Sequence, residues 1–226
     1  MPQVNAKAKK AHVFEREEHD WYIEPRWITD ALLGVERFEG QILDPCCGSG
    51  NIVRAAREHG YDVIGNDIVR RSEYCDRVVD FLEEDEMVDN IIANPPFKLC
   101  NKAPYPFVEH ALRRARYKVA FVMHRSWLFG DRRGVWLGGK PLYQVHMIAP
   151  RPSMPSGHLI MDGGKIGGGT IDFVWCVFLR GYNGAPQMNF LNRHKHVPER
   201  FRGKDQYNLS GVIDKIGDIG AVEHVE

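Results

Sequence analysis

The sequence is poor in the features that staple, metallate or anchor a chain. Its five cysteines, Cys46, Cys47, Cys75, Cys100 and Cys176, are odd in number and none forms a C-x-x-C pair. That argues against a disulfide framework and against a structural zinc site. No apolar run approaches the roughly 20 residues that a membrane span requires. Residues 1–10 are polar and lack the apolar middle of a signal peptide. A soluble, cytoplasmic protein without metal or membrane partner is the expectation. The remaining composition, 43% hydrophobic and 27% charged over 226 residues, is that of a globular domain large enough to bury a core unaided.

Net charge is also absent, with 30 basic and 30 acidic side chains, but the balance is uneven along the chain. Residues 98–204 carry 18 Lys and Arg against 5 Asp and Glu. The acidic excess lies elsewhere. A basic segment beside an acidic one marks a candidate polyanion-binding face.

Apolar patterning predicts strands at 41–44, 62–67, 78–82, 89–93 and 119–123, with helices at 27–33, 51–59 and 107–115 between them. Alternating strands and helices predict a parallel sheet covered on both faces. The pattern then changes. Strands at 143–148 and 171–179 flank a glycine-rich stretch, 152–170, whose sparse apolar residues read as a mobile connection or lid. The expected organisation is a polar arm at 1–20, one domain at 21–192, and a basic then acidic tail at 193–226.

Two strand ends carry chemistry. After the first strand, Asp44-Pro45-Cys46-Cys47-Gly48-Ser49-Gly50 turns into a helix. Glycines there let a ligand approach the backbone, and the helix start offers free N–H groups. The pattern is neither G-x-G-x-x-G nor a phosphate loop. The Asp44 carboxylate suits a cationic ligand group. Asp67 ends the next strand, where an acidic residue commonly accepts from ribose hydroxyls. The second strand end is Asn94-Pro95-Pro96-Phe97. Each proline keeps the residue before it out of the α region, so Pro96 fixes the Pro95 carbonyl beside the Asn94 side-chain oxygen. Two fixed acceptors suit a planar amino group, and Phe97 adds a flat face for a ring.

These motifs resemble the class I S-adenosylmethionine-dependent amino-methyltransferases, and within them the phage- and prophage-type DNA adenine-N6 enzymes. The resemblance spans about residues 18–180. Trp21-Tyr22-Ile23-Glu24-Pro25 resembles their first motif, with Glu24 in place of the usual Thr. Asp80-Phe81-Leu82, Arg125 to Arg133, Arg151-Pro152-Ser153-Met154 and Asp172-Phe173-Val174-Trp175 extend the likeness. The fold it implies is Rossmann-like, a mostly parallel seven-stranded sheet with helices on both faces.

The resemblance also implies roles. Asp44, Pro45, Cys47, Gly48 and Gly50 line the methionine part of S-adenosylmethionine, and Tyr22 and Pro25 cover it. Asp67 holds the ribose, Ile68 packs on the adenine, Asp80 accepts from its amino group and Phe81 packs on its ring. Asn94, Pro95, Pro96 and Phe97 form the catalytic motif. Arg125, Arg132, Arg133 and Arg151 are candidates for the DNA backbone. RNA adenine and protein glutamine are alternative amino substrates. A non-catalytic binding module is the alternative from another class.

Overall fold

The computed structural model describes residues 20–207. The polar arm, except its last residue, and the end of the tail lie outside them. Eight strands form one sheet in the order β3-β2-β1-β4-β5-β7-β6-β8. They are β1 (Ile42–Asp44), β2 (Val63–Asp67), β3 (Arg77–Val78), β4 (Val88–Ala93), β5 (Ala115–His124), β6 (Leu142–Ala149), β7 (Phe173–Leu179) and β8 (Gln187–Asn192). Strands β1 to β5 run parallel, and β7 runs antiparallel to both β5 and β6. The sheet is mostly parallel, as expected, with eight strands instead of seven.

The extra strand, β8, pairs in parallel with β6. It escaped the sequence reading because Met188 and Phe190 point into solvent, at 67% and 70% exposure, so no inward apolar alternation marks it. The strand expected at 78–82 is corrected to the two-residue β3 followed by a 3-10 turn, Phe81–Glu83, on which Asp80 accepts from the Leu82 N–H. Polar residues crowd this sheet edge, and little is gained by lengthening it.

Helices cover both faces. Helix α1 (Arg26–Val35) and helix α2 (Asn51–Glu58) lie over one. Ile28, Leu32 and Ile52 pack there with Ile42, Ile92, Val122 and Trp175. On the other face, α4 (Pro106–Arg114) sets Phe107, Val108 and Ala111 against Leu43, Ile91, Val119 and Phe121. Strand neighbours thus divide between the two cores by the period-2 alternation of a strand. Trp127 and Trp175 are buried and Trp136 is half-buried, so core packing claims two of these three indoles.

Two expectations need correction. The domain does not stop at residue 192. Helix α7 (Arg193–His196) follows β8 directly, Val197 and Phe201 enter the core, and the Gln206 backbone and side chain accept from the first N–H groups of α1. Phe201 stacks on His59, with ring centroids 4.1 Å apart, and lies under Arg26 at 5.1 Å. The glycine-rich stretch is also not uniformly loose. A short helix, α6 (Gly157–Met161), buries Ile160 within it, and Ser156 caps that helix by accepting from the Leu159 N–H. Only its later part, from Asp162, is mostly exposed.

The order 3-2-1-4-5 reverses direction between β1 and β4. Open α/β sheets bind ligands at the carboxyl ends of strands flanking such a switch point. Both candidate motifs stand there. Because Phe201 locks the C-terminal segment onto α1 and α2, Phe201→Ala should cost about 3–4 kcal/mol of stability in urea unfolding. A loss below about 1 kcal/mol would make that segment peripheral.

Candidate active site

The turn after β1 is shaped by Gly48 and Gly50, both at positive φ (+50° and +81°). A Cβ on Gly50 would also fall within 2.6 Å of the Tyr74 ring, so only glycine fits there. The Asp67 carboxylate at the end of β2 ties this turn down. It accepts from the Gly48 N–H at 2.8 Å, the Val69 N–H at 3.0 Å and the Arg71 guanidinium at 3.2 Å. Asp44 accepts from the Cys46 N–H at 3.3 Å and is 1% exposed. Burial first, and the nearby Glu24 and Asp67 charges next, hold its carboxyl well above the usual carboxylate range.

The segment entering α1 closes the site from above. Tyr22 pairs with Ser156 in an antiparallel bridge, and the Ile23 N–H donates to Pro155 O at 2.9 Å. The Trp21 ring lies 3.3 Å from where a Gly48 Cβ would stand, under the Arg71 guanidinium at 4.9 Å, and edge-on to His158. Gly157 is required by this packing, since a Cβ there would meet the indole. The first half of the glycine-rich stretch therefore supports the roof of the site.

Asn94 begins the loop after β4. Its Nδ2 donates to Tyr22 O and to Glu24 Oε2, each at 3.0 Å, and Oδ1 is buried with no partner. Pro95 is buried, and its carbonyl accepts no hydrogen bond from the described residues, because the Leu99 and Cys100 N–H groups turn to Pro96 O as α3 (Phe97–Asn101) begins. Glu24, 6% exposed, is held at about 7 by burial, against the lowering effect of its hydrogen bonds.

These pieces enclose a cavity of about 260 Å³. Of the residues singled out in the sequence, Tyr22, Pro45, Cys47, Gly48 and Asp67 line it. So do Ile68, Asp80, Phe81, Asn94 and Pro96. Five others do not form its wall. Pro25, Asp44 and Pro95 are buried behind it, Gly50 faces Tyr74, and Phe97 packs between His124 at 4.7 Å and Phe173 at 6.3 Å. Trp21, Glu24, Arg71, Lys98 and Phe107 also line the cavity and were not singled out as site residues. Arg71 was legible as the i+4 partner of Asp67, whereas Phe107 carried no signal beyond its place in the helix expected at 107–115.

Outside the cavity, Arg132 is exposed, whereas Arg125 and Arg151 share Asp172 at 3.2 and 2.6 Å. Arg133, another candidate for the polyanion, is half-buried against the protein. It stacks on Tyr105 and Trp127 and donates to Trp127 O at 3.0 Å and Asn101 Oδ1 at 3.2 Å. Among the described residues no helix is long and apolar enough to cross a membrane, and no group of three metal-ligating side chains is gathered.

No protein-family model matches the chain, and no curated protein matches it. Solved structures do. The M protein of the type I restriction enzyme EcoKI aligns over 76% of this chain and 48% of its own, with a TM-score of 0.52 at 12% identity. A Listeria monocytogenes protein assigned as a class I S-adenosylmethionine-dependent methyltransferase aligns over 77% of this chain and 66% of its own, with a TM-score of 0.48 at 15% identity. The chain has the class I methyltransferase fold. A Vibrio vulnificus protein assigned as a type I restriction modification subunit aligns over 85% of this chain and 50% of its own, at TM-score 0.49 and 17% identity. The chain thus spans about half the length of the two restriction-enzyme subunits. The cavity lies at the β1 and β4 ends, the switch point of this sheet.

Glu24 makes stability depend on pH with a definite sign. Its ordinary value of 4.5 rises to about 7 on folding, so between these values the folded protein keeps a proton that the unfolded chain has released. Stability then falls as pH rises through that window. Relative to wild type, Glu24→Gln should gain on the order of 2–3 kcal/mol between about pH 5 and about pH 8. Urea unfolding at both pH values checks this; an equal difference at both would contradict it.

Proposed function

We propose that the chain is an S-adenosylmethionine-dependent amino-methyltransferase acting on the exocyclic amino group of adenine in DNA. The observation that carries this reading is the pair of free acceptors after β4, the unpartnered Asn94 Oδ1 and the Pro95 carbonyl. An exocyclic amine has two hydrogens and a lone pair delocalised into its ring. Two acceptors on those hydrogens draw the nitrogen towards tetrahedral geometry and aim its lone pair, which is catalysis by positioning and electrostatics.

The residues fit the cofactor. Phe81, Ile68 and Phe107 offer apolar walls to a purine, and Asp67 and Asp80 offer carboxylates to its hydroxyl and amino groups. The Asp44 and Glu24 carboxyls favour a cationic neighbour, which would draw both towards their charged forms. The Trp21 indole N–H, buried and unpartnered, adds a donor on the same wall. When bound, S-adenosylmethionine supplies a methyl group already activated by its sulfonium. No metal or strong base is needed for the transfer.

A nucleic acid target is supported by the basic segment that starts at Lys98, next to the catalytic motif. On the shelf formed by α5 (Asp131–Gly138), Arg132 stands beside two exposed apolar side chains, Phe129 at 76% and Val135 at 82%. A cation with an apolar wedge suits a strand whose base is drawn out of the stack. The partial neutralisation of Arg125 and Arg151 by Asp172 and the contacts of Arg133 leave Arg132 as the most available of the four arginines singled out. RNA adenine is the second reading, favoured by Phe97 in the final motif position.

Two outcomes follow. Asn94→Ala should bind S-adenosylmethionine within about twofold of wild type and lose about a hundredfold in turnover; normal turnover would end the catalytic assignment. Arg132→Glu should weaken duplex DNA binding and flatten its salt dependence by about one counterion, with cofactor binding unchanged. An unaltered salt slope in fluorescence anisotropy titrations would move the DNA track elsewhere.

A further inference from the structure

We propose that Glu24 is a positioning residue for the Asn94 amide, fixing which of its two polar atoms is presented to the target amino group. This rests on the amino-methyltransferase reading and goes beyond it. Both Nδ2 hydrogens of Asn94 are taken, one by Tyr22 O and one by Glu24 Oε2. With the amide turned over, its oxygen would face two acceptors and its donor would face the incoming amine, also a donor. Tyr22 and Glu24 together leave only Oδ1 for the substrate.

The segment is built to hold this arrangement. The Asn51 side chain, from the first residue of α2, donates to Glu24 O at 2.7 Å. Pro25 then starts α1, and buried Arg26 pins that helix through Asp30 at 3.0 Å and Glu58 at 2.8 Å. The backbone of Glu24 is therefore fixed at the junction between α1 and α2.

The charge on Glu24 adds a second effect. The titratable groups that face it are Asp44 at the end of β1, Cys46 in the glycine turn and Tyr207 from the C-terminal segment. None is a cation, and no ion pair to Glu24 exists among the described residues. Its carboxyl gains a proton near neutrality. The ionised form makes a charge-assisted bond to Nδ2, which polarises the amide and strengthens Oδ1 as an acceptor. It also places negative charge near the amine, which becomes positive as it is alkylated. Turnover should thus rise with pH as Glu24 ionises, with a midpoint that the cationic cofactor brings below the ligand-free value of about 7.

The test uses the full chain, S-adenosylmethionine, and adenine-containing single-stranded and duplex oligonucleotides. Glu24→Ala should lower kcat about tenfold at saturating cofactor. Glu24→Gln, which keeps an oxygen acceptor, should recover most of that loss and remove the rise of kcat with pH. In parallel, the Asn94 side-chain amide resonances of ¹⁵N-labelled protein should titrate near pH 7 in wild type and not in Glu24→Gln. Wild-type kcat in Glu24→Ala, or Asn94 resonances that do not titrate in wild type, would overturn the proposal. Absence of methyl transfer by wild type to any oligonucleotide would instead sink the functional reading, and the resonance titration would still decide the positioning role. If Glu24→Ala fails to fold, Glu24→Gln and the wild-type titration carry the decision.

Discussion

The Asn94 amide ties the two halves of the site together. By donating one hydrogen to the Tyr22 carbonyl and the other to Glu24, it binds the segment before α1 to the end of β4. That segment carries Trp21 across the glycine turn and pairs Tyr22 with Ser156. The same link leaves one acceptor without a partner, and a buried acceptor without a partner is costly unless a ligand supplies the donor.

The rest of the architecture serves that geometry. The switch between β1 and β4 opens the crevice, and the parallel register of their ends brings the two motifs to the same level. Asp67 acts as a strut from β2, with its carboxylate taken up by the Gly48 and Val69 N–H groups and by Arg71. It can still offer lone pairs to a ligand, because a carboxylate has about four acceptor sites. The cavity gathers Glu24, Asp67 and Asp80, with Asp44 behind it, against Arg71 and Lys98. An excess of carboxylates in the crevice favours a cationic ligand.

The parallel half of the sheet was legible because its strands are short apolar runs ending in informative residues. Leu43 and Ile91 show this, each followed within a few residues by Asp44 or Asn94. The antiparallel half was legible only in part. Strand β8 presents Met188 and Phe190 to solvent, and the C-terminal segment packs through just two apolar anchors, Val197 and Phe201, too few to make a periodic signal. Of the ten cavity residues read from the sequence, Pro45, Gly48, Asn94 and Pro96 were legible through backbone restrictions that Gly and Pro impose locally, Asp67 through its place at a strand end, and Tyr22, Cys47, Ile68, Asp80 and Phe81 through the family resemblance. Glu24 was legible as a departure from the family pattern, not as a partner of Asn94. Seventy residues separate the two, and no local spacing could bring them together. The contacts of Arg133 were hidden for the converse reason. An arginine in a basic run reads as solvated until Tyr105, Trp127 and Asn101 are placed around it.

The central claim is that Asn94 presents its oxygen to an adenine amino group. It is tested most directly by incubating DNA and RNA with the protein and methyl-labelled S-adenosylmethionine, then identifying the labelled nucleoside by mass spectrometry. Label in N6-methyladenine from DNA, present with wild type and absent with Asn94→Ala, is the result predicted. Label at a ring nitrogen or carbon, or equal labelling by Asn94→Ala, would contradict it.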